Sequence, residues 1–115
     1  MNDVIYHLVP VDYWEEQPVD RPYVPVDFER EGFIHCTRGD EQLAIVANRY
    51  YRNDPREWLV LVIDEQAVTS EMKYEPGHEG LLYPHIYGSL NREAIREVLH
   101  APRDADGTFR PLKRS

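Results

Sequence analysis

The sequence predicts an α+β fold of short elements, and three observations carry the prediction. Trp58-Leu59-Val60-Leu61-Val62-Ile63 is apolar without alternation, the pattern of a strand covered on both faces. Shorter β-branched and aromatic runs lie before and after it, whereas sustained helical periodicity is confined to one stretch after Thr37. Nine prolines and six glycines in 115 residues interrupt the chain often enough to keep every element short. A chain of this length is expected to form one domain, residues 1–115, burying roughly 65% of its unfolded surface.

Taken in order, Val4-Ile5-Tyr6-His7-Leu8-Val9 reads as a strand that Pro10 ends. Asp12 is placed to cap a short helix over Tyr13-Trp14-Glu15-Glu16, whose acids sit where the helix dipole favours them. Pro18, Pro22 and Pro25 make Gln17 to Val26 an irregular, stiff connection. Asp27 then caps a one-turn helix, Phe28 to Glu31, which Gly32 closes. Gly32 to Thr37 is a second strand. Thr37 is the expected N-cap of a helix running to Arg52, with Leu43, Val46, Ala47 and Tyr50 spaced to face a core. Asn53-Asp54-Pro55 stops that helix, and the apolar run from Trp58 is the central strand. Glu71 to Glu75 alternates weakly, as an edge strand does, and Pro76 to Gly80 reads as a mobile loop. Leu82 to Gly88 is a strand with Pro84 near its start, and Ala94 to His100 is read as another. Asp106-Gly107 marks a hairpin turn returning through Thr108-Phe109, and the tail from Arg110 to Ser115 is expected to fray.

Composition narrows the function. Thirteen basic residues against 21 acidic ones give a net charge of −8, a field that repels phosphate backbones, so no nucleic-acid partner is expected. No apolar run approaches the about 20 residues that span a bilayer, and Met1-Asn2-Asp3 opens no signal peptide. A cytoplasmic protein with no membrane partner is expected, with a monomer favoured. The lone Cys36 forms no internal disulfide, which fits a reducing compartment.

Chemistry concentrates on three histidines, His7, His35 and His85, each inside a predicted strand. Alternation puts His7 on the face of Ile5 and Val9, His35 with Phe33 and Thr37, and His85 with Tyr87, while Cys36 points away from His35. Two readings stay open. The imidazoles form a structural polar network, each nitrogen satisfied internally, or they line a shared cleft suited to ribose or phosphate hydroxyls or to proton transfer. No HxH, HxxxH or HExxH spacing supports a metal, and none is expected. Among Tyr6, Tyr50, Tyr51, Tyr83 and Tyr87, one or two are candidates to stack on a planar ligand. Glu75 and Glu79 flank the loop holding His78, either as solvated residues or as a lid that brings a carboxylate to the cleft.

Ile5 to Val9, Glu31 to Thr37 and Tyr83 to Asn91 together resemble the small bacterial family catalogued as domain of unknown function 952, over Val4 to Phe109. A more distant likeness is to the ADP-ribosyltransferase superfamily, in the branch with two histidines that includes the tRNA 2′-phosphotransferases. Tyr6-His7 is similar to its first motif, Ile34-His35-Cys36-Thr37 to its second, and Pro84-His85-Ile86-Tyr87 to its third, without the glutamate of the mono- and poly-transferases. That resemblance implies a mixed, mostly antiparallel split sheet with two or three short helices. It also implies a cleft for NAD or an ADP-ribose-like nucleotide, with ADP-ribosyl- or glycosyl-transfer chemistry. Its site would use His35 and His85 for catalysis, and Tyr6, His7, Thr37 and Tyr87 for the nucleotide. The competing reading is a non-catalytic small-molecule-binding or interaction domain.

Overall fold

Two antiparallel three-stranded sheets make up the β-structure of the computed structural model, which describes residues 3–112. In the first sheet, β1 (Val4–Pro10) pairs with β3 (Trp58–Asp64), and β3 pairs on its other edge with β6 (Ile95–His100). The unbroken apolar run therefore occupies the central strand. Its side chains alternate between two cores: Leu59, Leu61 and Ile63 pack with Ile5, Val9 and Tyr23 on one face, and Val60 and Val62 with Tyr6 and Leu43 on the other. Val60 to Ile63 are fully buried, each contributing roughly 1.5–3 kcal/mol of hydrophobic stabilisation.

The second sheet has the order β2 (Ile34–His35), β5 (Leu82–Tyr87), β4 (Glu71–Pro76). The long second strand expected from Gly32 to Thr37 shrinks to two paired residues, for a local reason. The Cys36 N–H bonds the Pro84 carbonyl at 3.1 Å, but proline has no N–H to return the bond, so the ladder ends there. One residue later the chain changes sheets. The Thr37 N–H donates to Tyr6 O and the Tyr6 N–H to Thr37 O, both at 2.8 Å. Segment 33–37 thus ties the two sheets together. All strand pairings among the described residues are antiparallel, where a mixed sheet was expected.

Helix starts differ from the sequence reading. α1 (Val11–Glu16) follows directly from Pro10, so Asp12 lies in its first turn rather than at its cap. α2 (Phe28–Glu31) ends as expected at Gly32, whose φ of 84° is left-handed. Asp27 makes no capping bond and pairs with Arg30 instead. α3 (Asp40–Tyr51) starts from Gly39, because Thr37 is already committed to Tyr6. Of its four expected core residues, Leu43 and Ala47 are buried, with Ala44 beside them, but Tyr50 is 56% exposed. The loop after β4 folds into a 3-10 turn over His78–Gly80. The Asp106-Gly107 turn forms, and a Cβ at Gly107 would lie 2.5 Å from the Arg52 carbonyl. Leu112 is buried in the second core, against the expected fraying from Arg110, while residues 113–115 of that tail lie outside the described residues.

Candidate functional site

The three strand histidines fall into two environments. His7 is buried, and both its nitrogens have protein partners: Nδ1 lies 2.7 Å from the His35 carbonyl and Nε2 lies 2.9 Å from the Tyr23 hydroxyl. A carbonyl only accepts, so Nδ1 carries the proton and donates it, and the Tyr23 hydroxyl donates to Nε2. Burial lowers the His7 pKa to about 4, outweighing the carbonyl bond that raises it. Burial likewise pushes the Tyr23 phenol up, so it stays a donor. The rings of Trp14 and Tyr13 pack around Tyr23 at 5.5 and 6.3 Å.

His35 and His85 sit opposite each other on β2 and β5, with ring centroids 5.4 Å apart. Phe33 stacks on His85 at 4.1 Å and leans on His35 at 4.6 Å, fixing both rings. Each imidazole is held by a carboxylate: His35 Nε2 lies 2.5 Å from Glu31, and His85 Nδ1 lies 2.7 Å from Glu75. Glu75 also accepts from the Tyr87 hydroxyl at 2.5 Å. These two hydrogen bonds, that from Tyr87 first, hold the Glu75 carboxyl below its usual range, and the same contact raises the Tyr87 phenol. Carboxylates only accept, so the protons face Glu31 and Glu75. His35 Nδ1 and His85 Nε2 have no protein partner among the described residues, and in the neutral form of each ring that nitrogen carries the lone pair. Imidazoles in that state can accept a proton from a substrate and return it.

Two adjoining cavities give them something to act on. A larger one of about 540 Å³ is lined by His35, His85 and Tyr83 on the sheet side and by Arg49 and Tyr50 of α3. That volume is within the range for small-molecule sites. A smaller one of about 220 Å³ reaches Tyr6, His7, Tyr23 and Trp58. Asp27, Glu31, His35, Thr37, Val46 and Tyr51 line both. Two hydrogen bonds tie α3 to the β4–β5 hairpin, Gln42 to the Tyr83 hydroxyl at 2.9 Å and Tyr50 with His78 at 2.5 Å. The indole N–H of Trp58 is buried without a protein partner among the described residues.

The structure therefore brings together, around the larger cavity, His35, His85 and Thr37 and the stacking candidates Tyr50, Tyr51 and Tyr83 of the residues singled out in the sequence. Tyr6 and His7 reach only the smaller cavity, and the Tyr6 hydroxyl already meets Asp40 at 2.5 Å. Tyr87 lines neither cavity and acts on Glu75 from behind. Sequence reasoning passed over Glu31, Phe33 and Arg49. The spacing of Glu31 four residues before His35 was the available signal for the first. Cys36 is buried and its thiol is pushed up by burial, which leaves it unreactive. No group of three metal-binding side chains gathers among the described residues, and no helix among them is long and apolar enough to cross a membrane.

Comparison with known proteins places this architecture. The family model described as "Protein of unknown function (DUF952)" matches residues 8–98. No curated protein matches the chain in sequence. Among solved structures, the crystal structure of protein CC0527 from Caulobacter crescentus superposes with a TM-score of 0.80 at 21% identity, covering 93% of each chain. A crystal structure of a double mutant of CC0527 gives the same values. The solution NMR structure of CC0527 gives 0.72 at 22% identity, covering 90% of this chain and 89% of that one. At this identity the likeness establishes a shared fold.

Proposed function

The chain belongs to the DUF952 family, and from that premise we propose that its cleft binds a ribose-bearing nucleotide, NAD or ADP-ribose, with His35 and His85 moving protons at the ribose. One observation carries the reading. His35 stands where the two cavities meet, 5.4 Å from His85, and each ring is anchored by a carboxylate with its other nitrogen free. Tyr50 and Tyr83 supply flat walls for a base or nicotinamide ring. In an ADP-ribosyl transfer, the bond from C1′ to the nicotinamide nitrogen breaks and its electrons leave with nicotinamide. The acceptor's oxygen then bonds C1′, and its proton passes to His85 Nε2. The motif resemblance to the two-histidine branch of the ADP-ribosyltransferases agrees with this proposal for His35 and His85 and differs from it at His7 and Tyr87, which that resemblance gives to the nucleotide.

Calorimetric titration with NAD and with ADP-ribose tests the proposal. Binding to the native chain, lost at least tenfold in His35→Ala and His85→Ala with the fold retained, is the expected result. Absence of heat with both ligands refutes it. A second reading is favoured at one residue only: the saturated hydrogen bonds of His7 make that imidazole a structural member of the core, positioning the His35 backbone rather than touching ligand.

A further inference from the structure

The larger cavity is lined by Arg30 and Arg49 against Asp27 and Glu31, a formal balance of zero in a chain that carries −8 as a whole. Three of those groups are already engaged. Asp27 meets Arg30 at 3.2 Å, and Glu31 is taken by His35 at 2.5 Å. Glu75, behind His85, is occupied by that ring and by Tyr87. What is left on the wall is Arg49, exposed on α3, with no ion pair or hydrogen bond among the described residues. The Asp27–Arg30 pair is itself open to water, with side chains 55% and 73% exposed. Such pairs contribute little and yield to a stronger acceptor. Arg49 is thus an unpaired cation on the cavity wall of an acidic protein, and an unpaired guanidinium is a fork matched to phosphate oxygens.

We propose that Arg49, with Arg30 as a second contact, forms the subsite for a phosphate or pyrophosphate group of the ligand. This rests on the nucleotide reading for its location and narrows it to ligands that carry the phosphates, ranking ADP-ribose above adenosine. Arg49 is a binding residue here: it holds the anionic part and leaves the imidazoles to the ribose. Arg49 lies nine residues before the apolar strand, on a helix whose facing only the fold reveals.

The test is calorimetric titration of inorganic pyrophosphate, ADP-ribose and adenosine into the native chain, Arg49→Ala and Arg49→Lys. Arg96→Ala, which breaks a surface pair with Asp64 outside the cavity, is the control. The expected result is pyrophosphate binding that weakens at least tenfold in Arg49→Ala, weakens less in Arg49→Lys and is unchanged in Arg96→Ala. ADP-ribose should exceed adenosine in affinity only when Arg49 is present. Equal pyrophosphate affinity in the native chain and Arg49→Ala overturns the subsite, as does no pyrophosphate binding at all. Imidazole NMR shifts separate the two claims. If ADP-ribose moves His35 and His85 equally well without Arg49, the subsite fails and the nucleotide reading survives. Where pyrophosphate binding depends on Arg49 but no nucleotide moves either ring, the subsite stands and the nucleotide reading fails.

Discussion

His7 and His85 both lie on strands with apolar neighbours, yet the fold treats them oppositely. His7 is closed off, neutral and bonded at both nitrogens to a backbone carbonyl and a buried tyrosine. His85 is tied at one nitrogen to a partly exposed carboxylate, its other nitrogen has no protein partner among the described residues, and the residue lines the larger cavity. The difference teaches that the saturation of the ring, more than its strand location, separates a structural imidazole from a chemical one. A group whose bonds are all internal has nothing to offer a ligand without first breaking them.

Substitution should break this comparison most visibly at His7. His7→Ala leaves the Tyr23 hydroxyl and the His35 carbonyl without partners and opens a void, so we expect a loss of about 3 to 5 kcal/mol in urea unfolding. His85→Ala should cost less, about 1 to 2 kcal/mol, since its partner Glu75 is reached by water and the main loss is the ring's stacking on Phe33. The pH dependence sharpens the same contrast. The folded pKa of His7 lies below its unfolded value, so its contribution is intact above about pH 6.5 and is lost as pH falls toward 4. Native stability should fall by about 3 kcal/mol over that interval, and His7→Ala should lack this component when the two unfolding curves are compared.

Smaller effects probe the supports. Tyr23→Phe removes only the donor to His7 Nε2 and should cost about 1 to 2 kcal/mol, with the His7 pKa moved measurably by NMR. Glu75→Gln should change stability by less than about 1 kcal/mol yet shift the tautomer balance of His85, read from its ring nitrogen shifts. Equal stability losses for His7→Ala and His85→Ala would erase the distinction between the two regions.

Much of this fold is legible in the sequence. The absence of alternation over Trp58–Ile63 correctly placed β3 at the centre of its sheet, and weak alternation correctly placed β4 at an edge. β2 escaped because its length is set by a proline on a partner strand far along the chain. The site was half legible. Strand alternation placed His35 beside Phe33, as observed. Meeting of Glu75 with His85 depends on the β4–β5 register, in which Glu75 lies opposite Tyr83 and diagonal to His85. No local pattern specifies that register in advance, so the carboxylate behind His85 was visible only as one of two alternatives. Tyr50 was read as core by its helical spacing and, with four other tyrosines, as a candidate to stack on a ligand; α3 leaves it exposed on the cavity wall.

The division of labour among the three imidazoles is tested most directly by following their ring nitrogen and carbon shifts while ADP-ribose is added. The account predicts saturable shifts at His35 and His85 with His7 unmoved. A titration that leaves His35 and His85 unmoved, or that moves His7 alone, would contradict it.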